Sequence, residues 1–332
     1  MAVDPKFARP KRYPAPEFPP RRIARFTRMP PAVFPVVLGL LGMGLAARRL
    51  LVGTALEGLV EAVLGAILGL WLFAALAMSA KIARRPAVLM QDLRVLPGRA
   101  GMAASTMAGM AAALVLAPYE PVVALGLLWV SLVLHGVLAA ALIWVMVTTP
   151  GEARQITPAW HLSFVGFIVG ALAAVPLEQL WLAEWLLWVM IPVAVAIWAV
   201  SAVQLVRRIP PAPLRPMLAI HLAPAALFVT VAVSLGHFEL ANGFALVALG
   251  IAAALLIGLR WVLAAGFSAL WGSFTFPLAA FASALLAVGG VWYWLGVAMA
   301  IAAVIAVPMI AFRVLKMWAT GALAGKTNAA EA

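Results

Sequence analysis

GFSALWGSFTFPLAAFASALLAV, which runs from Gly266 to Val288, is an apolar stretch without a charged residue. A helix of about 20 residues crosses the roughly 30 Å hydrocarbon core of a bilayer, so this stretch is long enough to span one. Pro277 lies in its middle and would free a backbone carbonyl, which membrane helices tolerate where protein or a water-filled cavity satisfies it. The stretch therefore predicts a kinked helix that faces other helices or a pore, with Phe276 at the kink. The alternative interpretation is a packing kink in which Phe276 fills the core.

The composition of the whole chain agrees with a membrane location. Of 332 residues, 66% are hydrophobic and 10% are charged, whereas soluble domains are about 45–50% apolar and about 25% charged. The net charge of +12 is concentrated in the N-terminal tail and the loops, a distribution typical of membrane topology rather than of nucleic-acid binding. The absence of cysteine excludes disulfides and thiolate metal sites. We conclude that the chain is an all-α integral membrane protein embedded in a lipid bilayer.

The apolar residues fall into ten segments, which predict ten transmembrane helices. Proline and glycine turns separate most of them, and the fifth is short for a full span. Their predicted bounds are 30–47, 55–80, 96–117, 121–147, 160–176, 180–205, 216–236, 238–259, 262–288 and 290–313.

The basic residues give the orientation. With this helix count, all of the 23 lysines and arginines except Arg48 and Arg49 lie on one side of the membrane. The positive-inside rule makes that side cytoplasmic and places both termini there, in a multi-pass protein of the cell (inner or plasma) membrane. The chain then divides into a basic, proline-rich cytoplasmic tail over 1–29, a ten-helix transmembrane domain over 30–315 and a cytoplasmic C-terminal tail over 316–332.

Prolines recur at the start of the odd-numbered segments or inside them. The recurring positions are Pro35, Pro97, Pro158, Pro224 and Pro277. Five similar helical hairpins would suit a ring in which five inner helices surround a central pore, because membrane folds built of repeats place their substrate path at the repeat axis. Since the chain has 24 prolines, chance spacing is the alternative explanation.

Several short motifs resemble the tellurite-resistance/dicarboxylate transporter family, which includes the plant guard-cell slow anion channels. Their order and spacing match the family over about residues 30–315. The motifs are LWGSFTFP at 270–277, LAPA at 222–225 after Arg215, Phe34-Pro35 with Gly39, and LSFVG at 162–166.

The resemblance implies a homotrimer of ten-helix subunits, each with five inner helices around its own pore. It also implies a phenylalanine on the ninth helix that closes the pore near mid-membrane, which corresponds here to Phe276. Because this chain has one residue more after Trp271 than some relatives, Phe274 is the alternate gate. Pore kinks and lining residues correspond to Pro35, Gly39, Pro224, Thr275 and Pro277.

Such a pore suits anions, with no cofactor and no enzymatic activity. Its odd-numbered segments are nearly free of acidic residues, and a hydrophobic ring can close a path by dewetting. The candidate cargo is chloride or nitrate, a C4-dicarboxylate, sulfite or tellurite. Large, weakly hydrated monovalent anions should pass most easily, because dehydration sets the cost.

Two other classes of function stay open at this point. Glu57 and Glu61 share a helix face, so a proton-coupled secondary transporter of dicarboxylate or oxyanion is one alternative, against interfacial pairing with Arg48 or Arg49. A cofactor-bearing membrane subunit with a bis-histidine haem is the other. Its candidate ligands would come from His135, His161, His221 and His237, which otherwise read as packing residues.

Overall fold

The structure is a computed structural model that describes residues 26–148 and 155–332. Within those residues, nine helices are long and apolar enough to cross a membrane, and a shorter apolar helix covers His161–Ala174. These ten apolar helices follow the order and approximate positions expected from the sequence. Most of the predicted tail over 1–29 and the turn at 149–151 lie outside the described residues.

The α-helices are labelled in chain order. They are α1 Phe34–Leu51, α2 Glu57–Arg84, α3 Ala87–Arg94, α4 Leu96–Leu116, α5 Pro121–Thr148, α6 Ile168–Ala174, α7 Leu180–Arg207, α8 Leu222–Ser234, α9 Phe238–Ile257, α10 Leu259–Val262, α11 Gly272–Val288, α12 Tyr293–Ala319 and α13 Ala322–Lys326.

Five of the α-helices are preceded by a helical segment of another type. A 3-10 turn precedes α1, α8, α11 and α12, and a π-helical turn over His161–Val165 precedes α6. Proline explains the start of α1 and α4, since each has a proline in its first two positions, where a missing N–H costs no intrahelical bond.

Five helices pack into a closed ring. Helix α1 contacts α4, α4 contacts α6, α6 contacts α8, α8 contacts α11, and α11 returns to α1. Small residues allow these close approaches: a β-carbon added to Gly39 of α1 would overlap the Thr275 side chain of α11. The ring members are the odd-numbered segments of the sequence analysis.

A second set of helices lies outside the ring. Helices α2, α5, α7, α9 and α12 each pack on the ring helix that precedes them in the chain. In the four long ring segments, 56% to 78% of the residues in an apolar 18-residue stretch are buried. In the outer helices the corresponding share is 17% to 33%. Apolar side chains therefore dominate the outer surface, as expected for contact with lipid. Trp181, Trp185 and Trp188 form an exposed stripe on α7.

Besides shifts of up to four residues at other segment ends, three features differ from the sequence prediction. The ninth apolar segment starts at Ala269 rather than at 262, because the chain turns at Gly266 with a positive φ of 74°. The region between α2 and α4, expected as a loop, contains α3. Helix α12 continues to Ala319, so the first residues of the predicted C-terminal tail are helical.

Candidate functional site

A cavity of about 390 Å³ lies inside the ring of five helices. Residues from all five ring segments and from the C-terminal region form its wall. They are Ala32, Pro35, Leu38, Leu96, Pro97, Ala100, Ala104, Leu162, Pro213, Met217, Ile220, Ala223, Phe267, Ser268, Ala269, Leu270, Gly272, Ser273, Phe276, Pro277, Met317, Lys326 and Thr327. Lys326 is the charged member of this wall among the described residues, and no carboxylate belongs to it.

The cavity is surrounded by the beginnings of the ring helices. Each ring segment, counted with its 3-10 or π-helical turn, begins beside the cavity. The first or second residue of every segment belongs to the wall: Ala32, Pro97, Leu162, Pro213 and Ala269. Unpaired backbone N–H groups give a helix start about half a positive elementary charge. Five such starts around one space create a positive electrostatic potential there.

Phe276 belongs to the cavity wall and is 6% exposed. The edge of its ring rests on Gly42 of α1, where an added β-carbon would lie 2.9 Å from Cδ2 of the ring. Gly42 therefore provides the space that the phenyl ring occupies. Pro277, the next residue, also lines the cavity.

The remaining predicted lining residues lie behind the cavity wall. Thr275 is fully buried, and its hydroxyl lies 2.7 Å from the carbonyl oxygen of Gly272 and 3.1 Å from that of Pro35. Gly39 packs against Thr275. Pro224 is buried within α8, next to the wall residue Ala223. Of the predicted kink and lining residues, Pro35 and Pro277 line this cavity, Gly39 and Thr275 form part of the contact between α1 and α11, and Pro224 is buried in α8.

Phe274, the alternate gate, has a different environment. It is half-buried, and its ring centroid lies 6.1 Å from that of Trp271 in an edge-to-face contact. It is not part of the cavity wall. Two residues along a helix correspond to about 200° of rotation, so Phe274 and Phe276 point in different directions.

Comparison with protein families matches residues 28–315 to the voltage-dependent anion channel family. The chain belongs to this family. It is also the family of the tellurite-resistance and dicarboxylate transporters, so the resemblance found in the sequence is confirmed. The family carries anions across membranes, and its members are channels or transporters rather than enzymes. A search of curated proteins finds no match.

In this anion channel family member, the two carboxylates that could have coupled protons lie away from the cavity. Glu61 accepts a 2.7 Å hydrogen bond from Nε of Arg48, and Glu57 accepts one from the backbone N–H of Gly53. Tyr119 donates to Glu61 at 2.8 Å, and this bond to a carboxylate raises the pKa of the Tyr119 phenol. These contacts fit the interfacial pairing considered in the sequence analysis.

The four histidines take part in three side-chain hydrogen bonds. His161 and His221 hydrogen-bond directly through Nε2 and Nδ1 at 2.9 Å, so no space for an iron ion separates those nitrogens. Nδ1 of His135 lies 2.7 Å from the hydroxyl of Thr106, and His237 pairs with Glu184 at 2.7 Å. The first pair does not fit a bis-histidine haem.

The structure also contains a buried ion pair that the sequence did not reveal. Nζ of Lys81 lies 2.7 Å from Oδ2 of Asp92, and both side chains are almost completely buried. Oδ1 of Asp92 accepts a 2.7 Å bond from the backbone N–H of Ala330. Asp92 belongs to α3, so this pair fastens α2, α3 and the C-terminal region to one another. The sequence prediction placed Lys81 in the loop over 81–95, between the second and third apolar segments.

The C-terminal residues that reach the cavity are held by further contacts. Arg28 pairs with the Glu331 carboxylate at 3.0 Å, and Arg85 donates to the Glu331 carbonyl at 2.7 Å. Thr327 is buried and, with Lys326, forms part of the cavity wall. No sequence signal indicated these wall residues, because their role depends on how the chain folds back.

Proposed function

We propose that the chain conducts anions passively, as a channel or uniporter, through the centre of the five-helix ring. The observation that carries this proposal is the convergence of five helix starts on a cavity whose wall, within residues 26–148 and 155–332, includes no carboxylate. The potential of those helix starts favours a negative solute, and Lys326 adds a cationic group at the cavity wall. Family membership supplies anion transport as the general activity.

Phe276 is the proposed gate of this pathway. The residue belongs to the wall of a mostly apolar cavity, where an aromatic ring can exclude water and ions without the help of a charged group. The small residue opposite it, Gly42, gives the ring a defined position. Phe274 lies outside the cavity wall, and this geometry favours Phe276 over the alternate residue.

The proposed arrangement in the membrane uses all ten apolar helices. They would cross as five hairpins, with the 14-residue helical region His161–Ala174 as a short fifth crossing. Both termini would be cytoplasmic in the cell membrane, so that the cavity opens toward the cytoplasm. The subunit would assemble as a homotrimer, as the family resemblance implies. Weakly hydrated monovalent anions are the proposed preferred cargo, and no cofactor takes part.

The gate is tested by Phe276→Ala in purified protein reconstituted into planar bilayers with chloride or nitrate. Removing the ring should lower the barrier to anion passage by at least about 1.4 kcal/mol. This corresponds to a roughly tenfold higher conductance. Phe274→Ala is the matched control, because it removes the same side chain from the same helix outside the cavity wall. Equal conductance of the unsubstituted protein and Phe276→Ala would refute the gate.

A further inference from the structure

The α1 face that lines the cavity continues past Phe276 and ends in a charged residue. With about 100° per residue, Leu38, Gly42, Leu45 and Arg49 fall within an arc of about 60° on α1. Leu38 lines the cavity and Gly42 contacts the Phe276 ring. Arg49 lies seven residues beyond Gly42, which corresponds to about 10 Å along the helix.

The helices around α1 show where this face points. Gly39 and Gly42 approach α11, whereas Gly44 approaches Leu64 of α2, on the opposite side of α1. Arg48 donates to the carbonyl of Val115 in α4. The arc that contains Arg49 therefore lies between the α11 and α4 faces. In a closed ring whose members include α11, α1 and α4, this direction is the ring interior.

The two neighbouring arginines differ in their contacts. Arg48 points about 100° away from Arg49 and is neutralised by Glu61. Arg49 is exposed, and within the described residues it makes neither a hydrogen bond nor an ion pair. The closest carboxylates in sequence at this end are engaged elsewhere, Glu57 by Gly53 and Glu61 by Arg48 and Tyr119. The guanidinium of Arg49 thus keeps its charge and has no competing partner.

We infer that Arg49 is the anion-collecting group at the mouth of the pathway beyond Phe276. This inference rests on the proposed function and adds a specificity-determining residue to it. A guanidinium is always protonated, so its charge concentrates anions and repels cations at that mouth at every physiological pH. The effect should be strong at low ionic strength and weak in concentrated salt, because the screening length falls from about 10 Å at 0.1 M to about 3 Å at 1 M.

The test uses Arg49→Gln and Arg49→Lys, each combined with Phe276→Ala, in planar bilayers with chloride. In 0.1 M salt, Arg49→Gln should lower the conductance roughly two- to fivefold, and in 1 M salt by less than about 1.5-fold. Arg49→Lys should retain most of the conductance, because the charge remains. Arg207→Gln is the charge control, since Arg207 is exposed at the end of an outer helix.

The chain has no cysteine, so a second version of the test is free of background labelling. Arg49→Cys in the same Phe276→Ala background would be treated with a cationic or an anionic methanethiosulfonate. The cationic reagent should restore the low-salt conductance, and the anionic one should reduce it further. Val206→Cys, exposed at the end of the outer helix α7 beside Arg207, is the control that should respond to neither reagent.

The outcomes separate the two proposals. If Phe276→Ala carries no anion current, the proposed function fails. If Phe276→Ala conducts but Arg49→Gln does not lower its low-salt conductance, or the reagents act alike, the inference about Arg49 is overturned and the proposed function stands.

Discussion

Gly42 of α1 packs directly against the phenyl ring of Phe276 in α11, and the space between them is too small for a β-carbon on residue 42. An atom added at Gly42 would lie 2.9 Å from Cδ2 and 3.2 Å from Cε2 of the ring. Real side-chain contacts are longer, so any residue other than glycine requires the ring to move. The position of the proposed gate is therefore coupled to one small residue of the neighbouring helix.

The first prediction concerns this coupling. Gly42→Ala should destabilise the protein by about 1–3 kcal/mol, because it overpacks a fitted contact. In the Phe276→Ala background the same change should be neutral or stabilising by up to about 1 kcal/mol, since alanine is the better helix former. Denaturant unfolding in detergent would measure the double-mutant cycle. Gly65→Ala on α2, with open space around it, is the control. Equal effects of Gly42→Ala in both backgrounds would contradict the contact.

The second prediction concerns the hydroxyl of Thr275, which lies within hydrogen-bonding distance of the Pro35 carbonyl in the neighbouring ring helix. Thr275→Val nearly keeps the shape but removes the hydroxyl that can donate to the Gly272 or the Pro35 carbonyl, and should cost about 1 kcal/mol of stability. Thr275→Ser keeps the hydroxyl and should cost less. Thermal unfolding in one detergent would compare them, and equal losses for both variants would show that packing rather than the hydrogen bond matters.

The third prediction concerns the buried pair of Lys81 and Asp92. Asp92→Ala leaves an ammonium buried without its counter-charge and should destabilise the protein by about 3–5 kcal/mol. Replacing both residues, as Lys81→Met with Asp92→Leu, should recover much of that loss because no unpaired charge remains. Denaturant unfolding would measure both. A double variant no more stable than Asp92→Ala would show that the contact of Asp92 with Ala330, not the ion pair, is the essential one.

The fourth prediction concerns the energy source of transport. Because Glu61 is paired with Arg48 and lies outside the cavity wall, an imposed pH gradient should not drive anion accumulation in proteoliposomes. Glu61→Gln should reduce stability but leave chloride flux per folded protein nearly unchanged in about 1 M salt, where the charge of the released Arg48 is screened. Uphill uptake that follows the pH gradient and is lost in Glu61→Gln would instead establish a proton-coupled transporter.

The fifth prediction concerns selectivity. The cavity wall is apolar apart from a few small polar residues and Lys326, so it cannot replace the full hydration shell of a strongly hydrated anion. Nitrate flux through Phe276→Ala should exceed chloride flux, and sulfate or malate flux should be lowest. Liposome flux assays with these anions at equal concentration would measure the order. Faster passage of a dicarboxylate than of nitrate would indicate a dedicated binding site.

The class of the protein and the approximate positions of its apolar helices follow from the amino-acid sequence without any tertiary contact. Apolar runs long enough to span a bilayer leave few alternatives, since every backbone polar group in lipid must be satisfied within a helix. The residues from Leu270 to Pro277 also carried the family resemblance that the comparison confirmed. Local information was sufficient for these conclusions, because chain length and hydrophobicity are properties of each segment alone.

The packing of the helices against one another determines which side chains share a space. The Gly42–Phe276 contact, the Lys81–Asp92 pair and the return of Lys326 to the cavity wall join residues far apart in the chain. Hydrophobic patterning could not predict that Pro35 and Phe276 line the cavity whereas Gly39 and Phe274 do not, because nearly all sides of these helices are apolar. The direction of each side chain follows from which neighbouring helix packs where, and that packing is fixed by contacts between segments rather than by any one of them.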